Sequence, residues 1–105
     1  MPREQFQTLS EPMFYVLLAL MNECRGIDVM NKVSEISNSR VVVGPGTVYA
    51  MLDKFVKSGV IWMTVCEGRQ KSYIVTEYGI ELLKAEFVRT KTLYSDSKEF
   101  LEELL

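Results

Sequence analysis

Gly44-Pro45-Gly46-Thr47 stands immediately before a strongly periodic segment that runs to Ile61. A glycine-rich helix start presents free backbone N–H groups at the positive end of the helix dipole, which suits it to hold an anion. The phosphate of a nucleotide and the phosphate of a DNA backbone are both candidates. A P-loop needs GxxxxGK[ST], with a lysine for the β- and γ-phosphates. Here Gly46 is followed directly by Thr47, and no lysine occupies the needed place. No strand–turn–helix carries GxGxxG either. The DNA alternative uses the residues that are present. Thr47, Tyr49 and Ala50 lie at the start of the helix, opposite its apolar stripe. Thr47 can bond a phosphate or meet a thymine methyl, and Tyr49 can donate its hydroxyl to a phosphate. Lys54 and Lys57 are placed for backbone phosphates, or are ordinary solvated lysines.

Other chemistries find few suitable groups. The 105-residue chain has no histidine, and its two cysteines, Cys24 and Cys66, form no CxxC. A zinc site and a histidine general base are therefore not expected. Glu102-Glu103 is a carboxylate pair on a solvated helix end, and no nucleophile–base pair is recognisable, so no enzyme activity and no cofactor are expected. Both cysteines read as reduced thiols of a cytoplasmic protein, without the basic cluster that makes a thiol reactive. No signal peptide is evident, and the longest apolar stretch, Met13–Met21, is too short to span a bilayer. The net charge of −2 makes no general case for nucleic acid. Its distribution does more: residues 26–73 hold six basic and four acidic side chains, whereas residues 74–105 hold four basic and seven acidic.

The elements that must position these groups follow from caps and periodicity. Ser10 is a helix N-cap, with Glu11 and Pro12 suited to the first turn. The helix that follows, through Met21, is apolar nearly all round, so it is buried on more than one side, the second side against another subunit. Gly26 opens a second helix with Ile27, Met30, Val33 and Ile36 inward, ended by Ser37-Asn38-Ser39. Gly44 caps the third helix and Pro45 is its first residue. Val48, Met51, Leu52, Phe55 and Val56 make its apolar stripe, and Gly59 its C′ position. Ile61–Cys66 and Ser72–Val75 are strand-like and flank a charged turn, Glu67–Lys71, so a β-hairpin with a basic tip is expected. Trp62 is expected to pack in the core or on the hairpin. Thr76 caps a last helix with Glu77 in its first turn. Along it, Ile80, Leu83, Phe87, Tyr94, Leu101 and Leu104 follow a heptad spacing, with Leu82, Leu93 and Phe100 as a second stripe. A helix with two such stripes is expected to dimerise, packing on the first helix of a partner through Phe14, Leu17, Leu18, Met21, Leu83, Phe87, Tyr94 and Leu101. The fold class is α+β. It is a winged helix-turn-helix over residues 1–75, three helices plus a β-hairpin wing, with a long C-terminal dimerisation helix over 76–105, one compact domain overall.

Two patterns, "GxVYxxLxxxxxxGxI" from Gly46 to Ile61 and "GRxKxYxxTExG" from Gly68 to Gly79, occur in order, preceded by "LSEPMFYVLLALM". Together they resemble the PadR-like transcriptional regulators, in the short-tailed branch, over roughly residues 8–90. The resemblance implies a homodimeric winged-helix repressor that binds a pseudo-palindromic double-stranded DNA operator and is often released by a small molecule. Carried over by position, the recognition helix spans about 46–58, with Gly46, Thr47, Tyr49 and Ala50 at its base-facing end. Lys32 on the preceding helix and Arg69 and Lys71 on the wing become backbone contacts. Gln70, Ser72 and Ile74 interrupt the usual basic run, which implies a shallower salt dependence. Thr90 stands where some drug-sensing relatives carry a tryptophan. Phe14, Tyr15, Phe87 and Tyr94 remain as aromatic candidates for an effector pocket, with plain dimer packing as their other use. A winged-helix protein–protein interaction module that never touches DNA is the competing reading, kept alive by the acidic total charge and the thin wing.

Overall fold

Ser10 starts the first helix as its composition demands. Its side-chain oxygen accepts a bond from the Met13 N–H at 3.3 Å, and α1 runs Glu11–Ala19. This is a computed structural model, and it describes residues 9–105. A two-residue strand, β1 (Cys24–Arg25), and a 3₁₀ turn (Gly26–Asp28) precede α2, Val29–Ile36. α3 spans Pro45–Lys57 with Gly44 at the N-cap, and the wing is β2 (Ile61–Glu67) and β3 (Gln70–Val75). α4 spans Glu77–Leu101, capped by Thr76, and ends in a 3₁₀ turn, Glu102–Leu104. The α+β winged-helix expectation holds, with one addition: the sheet has three antiparallel strands in the order β1-β3-β2.

α1, α2 and α3 close around a core of Val16, Leu17, Leu20, Val29, Val33, Val48, Leu52 and Phe55, all at most 1 % exposed. Ile61, Tyr73 and Val75 close it from the sheet, and Leu83 from α4. Burying side chains of this kind contributes about 1.5–3 kcal/mol each, which is what fixes α3 on the other two helices. Its stripe faces inward as expected, through Val48, Leu52 and Phe55, with Met51 and Val56 half-buried.

Two local expectations are corrected and a third is narrowed. The 3₁₀ turn at Gly26 changes the phase of α2, so Val29 and Val33 point inward while Ile27 and Ile36 are 59 % and 42 % exposed. The hairpin is longer than its β-branched segments: Glu67 pairs with Gln70, so the turn is only Gly68-Arg69, and Gln70 and Lys71 belong to β3. Gly68 supplies the φ of +60° that such a tight turn needs. Of its two expected places Trp62 takes the hairpin and not the core: it sits on β2 opposite Ile74 and is 65 % exposed. β2 buries only its first residue, Ile61, because the hairpin leaves the helical body there.

One threonine ties the junction between the wing and α4. Thr76 Oγ1 donates to the Gly59 and Val60 carbonyls, at 2.7 and 3.0 Å, and accepts from the Gly79 N–H at 3.1 Å. The Thr76 N–H also reaches the Val60 carbonyl at 3.0 Å. α4 is thereby rooted on Gly59 and Val60, the two residues just past the C-cap of α3. A Cβ on Gly79 would lie 2.4 Å from the Val60 carbonyl oxygen. The close packing of α4 on Val60 therefore requires glycine at the end of the second sequence pattern.

Candidate nucleic-acid interface

α3 presents the expected edge. Gly44 offers no side chain to cap the first turn, so the helix start stays open to an external acceptor. Gly46, Thr47, Tyr49, Ala50, Lys54 and Lys57 are all exposed, Tyr49 at 48 %. Lys57 pairs with Asp53 one helical turn back at 3.0 Å, which offsets part of its charge. Across from this face stands the wing. A groove of about 500 Å³ separates α3 from the hairpin, and Tyr49 and Asp53 face Arg69 and Lys71 along it. Tyr73 closes the floor; burial pushes its phenol above the ordinary value, with Cys66, Tyr49 and Asp53 adding to the effect. The exposed start of α3 thus stands opposite two wing cations, Arg69 and Lys71.

A second groove, about 600 Å³, runs between α1 and α4. It brings together Phe14, Tyr15, Phe87 and Tyr94, the four aromatic residues singled out from the sequence, and Thr90 lies beside them. Phe14 and Tyr15 meet edge to face, with ring centroids 5.9 Å apart. Polar groups rim the groove. Arg89 donates to Glu86 and holds its carboxyl below the usual range, with the Leu9 backbone N–H adding to the effect. Tyr94 donates to Glu102 at 3.2 Å, and the Lys98 ammonium stands 5.9 Å from the Tyr94 ring. Next to this groove, Phe14, Leu18, Met21, Ile80 and Phe87 form an apolar concavity with Leu83 at its base. Further along α4 and in the 3₁₀ turn that ends it, Leu93, Phe100, Leu101 and Leu104 are 53–77 % exposed.

The family model "Transcriptional regulator PadR-like family" matches residues 16–85. The chain belongs to the PadR-like family. Solved structures agree on the fold. A complex of hsRosR with S4 superposes with a TM-score of 0.72 at 19% identity, covering 99% of this chain and 92% of that one. RosR of H. salinarum grown from NaBr gives 0.71 at 20% identity, covering 93% and 91%. A transcriptional regulator from Clostridium thermocellum gives 0.69 at 17% identity, covering 87% and 92%. No curated protein sequence matches the chain. PadR-like proteins are DNA-binding transcriptional regulators and not enzymes.

Within this PadR-like chain some expected residues fall elsewhere. Leu17, expected at a dimer interface, is fully buried in the core of its own chain, and Leu83 is only 6 % exposed. A helix apolar all round does not reveal which side its own domain takes; here Val16, Leu17 and Leu20 turn inward, and Met21 is left outside. Lys32 is exposed and lines a separate shallow pocket with Cys24, Arg25 and Asp28, next in sequence to Gly26 and Ile27 of the α3–wing groove. Burial and Asp28 push the Cys24 thiol up, against the pull of Lys32 and Arg25. Among the described residues no group of three or more His, Cys, Asp or Glu side chains is placed to hold a metal ion, and no helix is long and apolar enough to cross a membrane. Two residues of the sites carried no signal in the sequence. Ile27 joins the wall of the α3–wing groove only because of the 3₁₀ turn. Arg40 reaches α1 from the linker before α3, across 25 residues of sequence.

Proposed function

We propose that this PadR-like regulator is a homodimeric repressor that binds a pseudo-palindromic operator and is released by a small amphipathic aromatic effector. The observation that carries the DNA part is the open, exposed start of α3, with Thr47, Tyr49 and Ala50 on one edge and Arg69 and Lys71 across the groove. In this reading Gly46 allows close approach of the backbone. Thr47, Tyr49 and Ala50 meet base edges and the nearest phosphates. Lys54, Lys57, Arg69 and Lys71 hold the backbone. Lys32, on α2, is a further backbone contact in this reading.

Residues 1–75 carry the DNA-binding unit, and 76–105 the dimerisation helix. What supports the dimer is the α4 surface: Phe87, Tyr94 and Leu101 are more than half exposed on a helix with little of its own chain to cover them, beside the half-buried Phe14 and Leu18 and the exposed Met21. Because Thr76 roots α4 at the end of α3, the angle between two paired α4 helices would set the separation of the recognition helices. That separation must match one DNA turn, roughly 34 Å. An effector in the α1–α4 groove, against Phe14, Tyr15, Phe87 and Tyr94, would favour another angle. Selection from a random-sequence duplex library tests this. The expected product is an inverted repeat with half-sites about one turn apart, and Tyr49→Ala should weaken binding to it. Enrichment of no site would contradict the proposal, as would undiminished binding by Tyr49→Ala for the Tyr49 contact.

A further inference from the structure

Arg40 lies in the linker between α2 and α3, and its guanidinium reaches back to α1. Its Nη2 donates to the Tyr15 hydroxyl at 2.9 Å and pairs with the Glu11 carboxylate at 2.8 Å. Its Cζ stands 5.7 Å from the centroid of the Tyr15 ring, a cation–π distance. Tyr15 and Glu11 both line the α1–α4 groove. One side chain of the linker therefore holds two residues of the groove wall.

The linker itself transmits position. Asn38 and Ser39 take φ values of 55° and 64°, and Ser37 Oγ accepts from the Val41 N–H at 3.0 Å while bonding the Val33 carbonyl at 2.9 Å. Val41 and Val43 are buried on either side of exposed Val42, and Gly44, the N-cap of α3, comes next. Four residues thus separate Arg40 from the first residue of α3, and two of them are anchored in the core. A shift of Arg40 reaches the start of α3 with little slack. The Arg40 and Glu11 side chains are also 58 % and 56 % exposed, so this is a contact that a ligand can exchange, not a fixed strut.

We propose that Arg40 is a positioning residue of the recognition helix: it ties the start of α3 to the groove wall through Tyr15 and Glu11. An aromatic ligand that takes the Tyr15 ring face or hydroxyl then competes with Arg40, and the ligand and DNA weaken each other's binding. The inference rests on the reading of α3 as the DNA-contacting helix and of the α1–α4 groove as the effector site. Reciprocity makes the coupling measurable from either side. Half-exposed contacts of this type correspond to a factor of about two to five.

The test uses the full chain, a labelled duplex bearing the selected site, and 1-anilinonaphthalene-8-sulfonate as the aromatic probe. Duplex affinity is read by anisotropy with and without saturating dye, at several salt concentrations, for the wild type, Arg40→Gln, Arg40→Lys and Tyr15→Phe. Dye should weaken wild-type duplex binding about two- to fivefold. Arg40→Gln should bring that factor to about one while both ligands still bind. Tyr15→Phe, which keeps the ring and loses the hydroxyl, should lower the factor, and Arg40→Lys should restore part of it. Coupling of wild-type size in Arg40→Gln would overturn the proposal. So would a fall of about one in the salt slope of Arg40→Gln, which would make Arg40 a phosphate contact. Dye binding with no effect on wild-type duplex affinity would overturn it as well. Failure of the wild type to bind either duplex or dye is a distinct result, and would overturn the underlying reading and the inference with it.

Discussion

Gly79→Ala should destabilise the protein although it replaces a glycine within a helix. At an ordinary interior position the change would stabilise by about 1 kcal/mol. Here the new Cβ would lie 2.4 Å from the Val60 carbonyl oxygen, about 1 Å short of ordinary contact, and 3.3 Å from Val60 Cγ1 and Val75 Cβ. The oxygen is backbone, already bonded by the Thr76 hydroxyl and N–H, so it cannot swing aside. α4 must lift away instead, which loosens the Thr76 cap on Gly79. Overpacking of this kind costs about 1–3 kcal/mol and a weakened cap about 1 more, against the gain from alanine. The net loss is about 1–3 kcal/mol, which should lower the urea midpoint by roughly 0.5–1.5 M with the slope unchanged. Wild type and variant must be compared at equal total concentration, because the proposed dimer would be stabilised by mass action. A midpoint at or above that of the wild type would refute the packing argument. With α4 displaced at its root, the folded variant should also bind its operator more weakly.

The other predictions concern the wing, the α4 surface and one carboxylate. Arg69→Gln and Lys71→Gln should each weaken binding to all duplexes alike and lower the salt slope by about one; loss confined to one sequence would mean base contact instead. Phe87→Glu places a charge on the exposed apolar face of α4 and should shift sedimentation toward the monomer without lowering helix content by circular dichroism; an unchanged sedimentation profile would place the interface elsewhere. Glu86, with its carboxyl held below the ordinary value by Arg89, contributes stability that is present above about pH 4.3 and lost as pH falls through its lowered value. Glu86→Gln should therefore show a flatter decline in stability below about pH 4.3 than the wild type, and parallel acid titrations would exclude that contribution.

The three larger α-helices and the wing were legible because their ends carry local chemistry. Ser10, Gly44-Pro45 and Thr76-Glu77 act as caps in the structure just as their types imply. The pattern from Gly68 to Gly79 also acquires a physical meaning: Gly68 makes the turn, Tyr73 fills the core, Thr76 caps α4, and Gly79 permits its close approach. What escaped the sequence lacks a local signature. β1 is two residues long and exists only through its pairing with Tyr73 and Ser72. The 3₁₀ turn at Gly26 shifts the phase of α2 without altering its composition. The exposure of Trp62 depends on where the hairpin leaves the body, and Leu17 is assigned to the core by packing that an all-apolar helix does not disclose. Arg40 meets Glu11 and Tyr15 only after α1 and α2 have packed, so no spacing rule could find it.

The central claim, that α3 and the wing read a particular DNA sequence, is tested most directly by anisotropy of a labelled duplex carrying the selected site, at two salt concentrations, with scrambled duplex as competitor. Binding should survive the competitor and weaken as salt rises, through release of counterions from the contacted phosphates. Equal displacement by scrambled and specific duplex, or binding indifferent to salt, would contradict it.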